Sequence, residues 1–378
     1  MRVFVPRETE SGETRVALVP DAVKRLAALG PEIWVEAGLG QAISASDEAY
    51  QAAGAQITSD RAEALRSSDV VLRVRKPPQD EVASLKRGCI HVSLLDAFNE
   101  RELVRALAAA GVTAIGLEML PRITIAQKMD VLSSQASLAG YAAVIAAAGT
   151  IDRIFPMMMT PAGTLKPVRL FVIGVGVAGL QVIATARRLG ARVEAFDTRP
   201  AVEEQVHSLG AKFVRVDLGE TGQTDQGYAR ELTPEQLEKQ REVMAQHCAK
   251  ADIVITTAQV FGRKAPLIVT NAMVDQMQPG SVIVDMAVES GGNVECSRSD
   301  EVVERNGVRV IGMRNLPGRV ARHASEMYSN NLVSLLEHFW DKEAKSFRLD
   351  LNDEILKYCV LTHDGKIVND TIKKLYSA

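Results

Sequence analysis

Over the first 120 residues, short runs of Val, Ile, Leu and Phe alternate with segments whose apolar positions recur every three or four residues. The runs predict strands at 3–5, 33–36, 70–74, 90–94 and 113–116, and the periodic segments predict helices such as 20–29 and 101–110. Strands alternating with helices form a parallel sheet with helices on its faces. Gly38-Leu39-Gly40 follows a strand, but no third glycine opens a helix behind it, so it reads as a turn.

A second series of the same kind predicts strands near 169–173, 192–196, 212–216, 252–256, 281–285 and 308–311. The turn-rich stretch from Phe155 to Thr164 reads as the connector between the two series. From about Ala324 a long amphipathic helix runs through Phe339. A strand-turn-strand pattern follows, at 358–362 and 366–368 around His363-Asp364-Gly365. Six strands already complete the second sheet, so this tail is expected to return to the first domain. The fold class is α/β: two Rossmann-like domains with parallel doubly wound sheets. Residues 1–131 plus 324–378 form the first domain and residues 132–323 the second.

The uncharged stretch 131–151 raises the question of a membrane span. Ser133, Ser134, Gln135 and Ser137 fill its first turns, and the apolar remainder of about 14 residues falls short of the ~20 a span needs. It reads as a buried helix rich in Ala and Gly. The 378 residues are 47% hydrophobic and 24% charged, enough for two packed cores, and the net charge of −3 carries no basic footprint for nucleic acid. The N-terminus enters a strand directly, without a charged leader and apolar signal core. Cys89, Cys248, Cys296 and Cys359 are scattered, with no CxxC pair and no metal-ligand spacing; they read as reduced thiols of a cytosolic protein, and no metal site is expected.

Candidate chemistry lies in the second domain. Gly174-Val175-Gly176-Val177-Ala178-Gly179 is a GxGxxG pattern, weak alone but here set between a buried-strand run and a helix closed by Gly190. In that context Gly174 allows a tight turn, Gly176 lets the backbone approach a pyrophosphate, and Gly179 permits close helix–strand packing. The helix N-terminus, with Val177 and Ala178 in its first turn, offers N–H groups and a positive dipole end to phosphate. The next strand ends at Asp197, followed by Thr198 and Arg199. A carboxylate there accepts from the adenosine ribose and repels a 2′-phosphate, which favours NAD(H) over NADP(H) as the cofactor of this chain. Arg199 is expected at a ribose or adenine edge.

Four segments resemble the NAD(H)-binding domain of proton-translocating nicotinamide nucleotide transhydrogenase. They are residues 122–135, which include Arg122, Gln127, Asp130 and Ser133; residues 155–160; residues 174–189; and Gly227-Tyr228-Ala229. Weaker similarity covers nearly the whole chain. The resemblance implies that Gln127 and Asp130 act at the hydride-transfer end of the cofactor, with Ser133 also contacting the nucleotide and Arg122 meeting either its pyrophosphate or the cofactor of the partner. It implies that Gly227 and Tyr228 sit on a loop that closes over the nucleotide. It further implies an NADP(H)-binding partner subunit, a membrane-spanning subunit, a homodimer, and a cytoplasmic location peripheral to the cell membrane. Read from the residues alone, Asp130 or Ser133 could instead be the N-cap of the helix that follows.

Glu13-Thr14-Arg15-Val16-Ala17-Leu18 and Arg73-Val74-Arg75-Lys76-Pro77 also resemble alanine dehydrogenase, in which an arginine and a lysine hold the substrate carboxylate and carbonyl. Arg15 and Lys76 are therefore open between a substrate site, cofactor contacts and ion pairs. That reaction also needs a protonatable group beside the carbonyl. His91 is the available histidine, whereas the dehydrogenase position falls nearer Leu94; His91 reads as a satisfied strand histidine. A non-catalytic NAD-binding subunit is the third reading.

Overall fold

A computed structural model describes residues 1–217, 219 and 233–377. The chain divides into two compact units, residues 1–135 with 318–378, and residues 136–317.

The sheet of the first unit has eight strands in the order Lys366–Ile367, Val360–His363, Thr113–Gly116, Ile90–Ser93, Val70–Leu72, Arg2–Val5, Glu32–Glu36 and Ala55–Thr58. All neighbours are parallel except the returning tail, where Val360–His363 runs antiparallel to Thr113–Gly116 and Lys366–Ile367 antiparallel to Val360–His363. Successive side chains of a strand point to opposite faces. Val3, Val5, Val70, Leu72 and Val92 accordingly enter one core, while Phe4, Val71 and Ala114 enter another on the reverse face.

The second unit repeats the plan. Its seven strands stand in the order Lys212–Phe213, Arg192–Phe196, Arg169–Ile173, Ile253–Thr256, Val282–Asp285, Val308–Gly312 and Glu301–Arg305. Leu170, Val172, Ile253 and Ile255 fill one core, and Phe171, Ile173, Val254 and Ile283 the other. The sheet thus gains a seventh strand beyond the six expected: Glu301–Arg305 pairs antiparallel with Val308–Gly312 at the edge. The connector is also more than a loop, because Met158–Thr160 and Gly163–Leu165 form an antiparallel hairpin, exposed throughout.

The helix Val131–Thr150 is long and apolar enough, by composition, to cross a membrane. Ala142, Ala143, Val144 and Ala147 instead pack into the core of the second unit. Gly140 lets it approach the helix Val177–Arg188 closely, since a Cβ there would lie 2.4 Å from the Ala178 carbonyl oxygen. The expectation of a buried helix holds for one face only, because Tyr141 and Ile145 are 41% and 42% exposed.

Candidate functional site

Strand order in the second unit reverses between Arg169–Ile173 and Ile253–Thr256, and chain leaves the carboxyl ends of both strands there in opposite directions. Open α/β sheets bind ligands in the crevice that such a switch creates. Gly174 begins the turn out of the first strand with φ +99°, a left-handed conformation costly for residues with a side chain. A Cβ on Gly179 would lie 2.0 Å from the Gly174 carbonyl oxygen, so this glycine sets how closely helix and strand pack. Gly176 differs from both: it is exposed, and nothing among the described residues lies within 4 Å of where its Cβ would be. It is also the N-cap of the helix Val177–Arg188, and as a glycine it has no side chain with which to cap that end. The first amides of the helix, at Val177, Ala178 and Gly179, follow this open backbone, an arrangement suited to an anionic group.

Asp197 stands beside this turn. Its carboxylate accepts from the Val175 amide at 2.7 Å, from the Arg199 amide and Nε at 2.9 Å each, and from Arg199 Nη2 at 2.8 Å. Arg199 Nη2 also donates to the Val175 carbonyl at 3.0 Å. Asp197, the half-buried Thr198 and Arg199 thus form a segment joined to the glycine turn by the protein's own hydrogen bonds. Thr257, Asp285 and Asn293, which sequence reading missed, complete this end of the sheet: Thr257 Oγ1 donates to the Gly174 carbonyl at 2.9 Å. Gly291-Gly292 just before Asn293 is the sequence signal that could have marked them.

Arg122, Gln127, Asp130 and Ser133 belong to the first unit. Arg122 and Gln127 are exposed, Gln127 within the short helical turn Thr124–Met129. Asp130 accepts from the Ser133 amide at 2.9 Å and from the Ser133 hydroxyl at 2.6 Å, capping the helix Val131–Thr150. The capping role open in the sequence is therefore present; it leaves the Gln127 side chain uninvolved. Gly227 and Tyr228 lie outside the described residues.

Arg15 and Lys76 are engaged in ion pairs. Arg15 is buried between Glu13, at 2.7 Å, and Gln135, at 2.9 Å. Burial pushes the Glu13 carboxyl up, but Arg15 and Arg75 more than offset this and hold it at about 2. Lys76 pairs with Glu100. His91 requires a correction: it is fully buried in Ile90–Ser93, yet neither ring nitrogen has a partner among the described residues. Its strand neighbours Val71 and Ala114 have side chains that offer no donor or acceptor. Burial, with the Arg73 charge beside it, pushes the ring down to about 3, far from a proton-transfer role near neutrality. Replacing it should therefore relieve a cost. His91→Leu is expected to stabilise the protein by about 1 kcal/mol, because an unpaired buried polar atom costs about 1–3 kcal/mol. Urea unfolding checks this, and a loss of that size would mean the ring is hydrogen-bonded in solution.

Nothing in this geometry singles out one redox reaction, but comparison with known proteins narrows it. Residues 4–139 match the N-terminal domain, and residues 143–370 the C-terminal domain, of the family Alanine dehydrogenase/PNT. The chain belongs to that family. A Rhodospirillum rubrum protein named as one piece of NAD(P) transhydrogenase subunit alpha is 46% identical to it, over 98% of this chain and 99% of the relative. The transhydrogenase structure from Sinorhizobium meliloti superposes with a TM-score of 0.88 at 46% identity, covering 97% of this chain and 100% of that one. The alanine dehydrogenase of Mycolicibacterium smegmatis matches over 99% of this chain and 96% of its own length, at 28% identity. The chain is thus similar to transhydrogenase subunits, members of an oxidoreductase family, and more distantly to alanine dehydrogenase.

Proposed function

We propose that this chain is the NAD(H)-binding component of a proton-translocating NAD(P) transhydrogenase. In this reading hydride passes directly between NADPH on a partner subunit and NAD on this chain. A membrane-spanning subunit couples the transfer to proton translocation, and this chain sits on the cytoplasmic side, attached through its partners. The observation that carries the reading is the near-complete match to a transhydrogenase subunit at 46% identity, against 28% for alanine dehydrogenase. The name of that transhydrogenase relative, one piece of a subunit alpha, implies companion polypeptides.

The residues fit a dinucleotide. The open backbone at Gly176 and the uncapped helix end would receive the pyrophosphate through the amides of Val177, Ala178 and Gly179. Asp197, flanked by Thr198 and Arg199, would take the adenosine ribose, exchanging part of its Arg199 pairing for the ribose hydroxyls. Arg122, Gln127, Asp130 and Ser133 would serve the nicotinamide end, and Gly227 and Tyr228 the closing loop. Bound NAD(H) supplies the ring that accepts or gives the hydride. Transfer between two nicotinamides moves no proton at carbon, so the protein needs no general acid or base there. Its task is to fix the distance and facing of the two rings. The family resemblance also implies a homodimer. The second unit offers an apolar surface for it in the exposed hairpin, where Met157, Met158, Met159 and Leu165 are presented to solvent.

The test titrates NADH and NADPH by fluorescence and then supplies the NADP-binding partner for transfer from NADPH to an NAD analogue. Tighter binding of NADH, with transfer only when the partner is present, is expected. Asp197→Asn should weaken NADH binding and narrow the preference. Equal affinities would remove the ribose role of Asp197. Turnover of pyruvate and ammonium at ordinary enzyme rates, roughly 1–1000 per second, would overturn the reading in favour of alanine dehydrogenase.

A further inference from the structure

The carboxyl end of the strand Val282–Asp285 carries a buried polar relay with no part in the roles assigned above. Asp285 is fully buried. Its carboxylate accepts from the Thr256 hydroxyl at 3.3 Å and from the amides of Ala287 at 3.0 Å, Asn293 at 3.0 Å and Val294 at 3.2 Å. The chain can come this close only because two glycines precede Asn293. Gly291 and Gly292 have φ of +104° and +80°, and a Cβ on Gly292 would lie 2.8 Å from Asp285 Oδ2.

Asn293, itself fully buried, faces the other way. Its Nδ2 donates to the carbonyls of Ala258 and Pro266, both at 2.8 Å, and its Oδ1 accepts from the Ala258 amide at 3.1 Å. One carboxamide thus serves both backbone groups of Ala258, as a neighbouring strand would, and ties together the two ends of the loop 258–266. That loop leaves the sheet at the switch point, where the strands no longer pair. Immediately before it, Thr257 donates its amide to the Ile173 carbonyl at 2.8 Å and its hydroxyl to the Gly174 carbonyl at 2.9 Å. A continuous path runs from Asp285 through Asn293, Ala258 and Thr257 to the glycine turn.

We propose that Asn293 is a positioning residue of the dinucleotide site, fixing Ala258 so that Thr257 holds the Gly174 turn in the shape that receives the nucleotide. This rests on the reading of the glycine turn as an NAD(H) site. An apolar plug would close the gap at the end of the sheet equally well. Side-chain amide bonds add a defined distance and direction, which a pyrophosphate cradle built from backbone amides requires.

The test measures NADH affinity by fluorescence, well below the unfolding midpoint of each protein, for the unaltered chain, Thr257→Val, Thr257→Ser, Asn293→Ala and the Asn293→Ala/Thr257→Val double variant. Failure of the unaltered chain to bind NADH overturns the NAD(H) reading itself. If it binds, Thr257→Val and Asn293→Ala are each expected to weaken NADH about tenfold, whereas Thr257→Ser, which keeps the hydroxyl, stays within twofold. Because the two residues act on one path, the double variant should be no more than about twofold weaker than the poorer single variant. Binding within twofold of the unaltered chain in Asn293→Ala or in Thr257→Val, or equal losses in Thr257→Ser and Thr257→Val, overturns the proposal. So do single losses that multiply in the double variant. Should Asn293→Ala fail to fold, Asn293→Ser, whose short hydroxyl cannot serve both backbone groups of Ala258, takes its place with the same expected loss, and binding within twofold there overturns the proposal.

Discussion

Gly176→Ala is expected to weaken NADH binding about 100-fold while leaving the unfolding midpoint within ~4 °C of the parent protein. The two halves of that result have separate causes. Gly176 has φ −87° and ψ −164°, a conformation alanine adopts readily, and no atom of the described residues lies within 4 Å of the added methyl. Alanine is a poorer N-cap than glycine, but at an exposed helix end the difference is at most about 1 kcal/mol. The methyl would nonetheless occupy the space through which a pyrophosphate reaches the amides of Val177, Ala178 and Gly179. A 100-fold loss corresponds to about 2.7 kcal/mol, within reach of one or two lost charge-assisted hydrogen bonds. Gly179→Ala should behave differently, because its Cβ would lie 2.0 Å from the Gly174 carbonyl oxygen and the helix must move. That variant is expected to lose stability and binding together. Isothermal NADH titration beside thermal unfolding of both variants separates the cases. If Gly176→Ala binds NADH normally, the turn is a packing motif and the site lies elsewhere.

That contrast also marks how much the sequence reveals. The parallel strands were readable because strands buried on both faces are nearly continuous apolar runs, as in Leu170-Phe171-Val172-Ile173. Among the strand regions that were not, three share a cause. Ala55–Thr58 is an edge strand with only Ala55 fully buried, Glu301–Arg305 is largely exposed, and the hairpin at Met158–Leu165 is exposed throughout. Strands made by pairing without burial leave little hydrophobic pattern. The same division runs through the site. The three glycines and Asp197 are close in sequence, and each has a steric or charge role that identifies its residue type. The link from Asp285 through Asn293 to Gly174 runs through backbone atoms of segments distant in the chain, and backbone atoms have no signature in a sequence. Asp130 shows the opposite case, in which one residue fits two readings. The cap is visible in the structure, while its part at the cofactor rests on the family resemblance.

Gln127→Asn, with the NADP-binding partner supplied, is expected to slow single-turnover hydride transfer about 100-fold while NADH affinity falls tenfold or less. Gln127 is a cleaner probe than Asp130. Removing the Asp130 carboxylate would uncap the helix Val131–Thr150 at a cost of about 0.5–2 kcal/mol, so a change there mixes stability with function. Gln127 is exposed in the turn Thr124–Met129, and shortening it by one methylene leaves the packing of Ala126 and Met129 untouched. In the proposed function most binding energy comes from the pyrophosphate and adenosine contacts of the second unit. Loss of one neutral hydrogen bond at the nicotinamide end costs about 0.5–1.5 kcal/mol, close to tenfold at most. Ring placement obeys a steeper rule, because a displacement near 1 Å between reacting groups can cost about 100-fold in rate. The two effects therefore separate if Gln127 aims the ring, and they coincide if it only helps to hold it. Stopped-flow transfer from NADPH to an NAD analogue, beside equilibrium NADH binding, measures both. Equal losses in rate and affinity would make the loop at 122–133 a simple binding contact, and the control of hydride geometry would have to come from other residues.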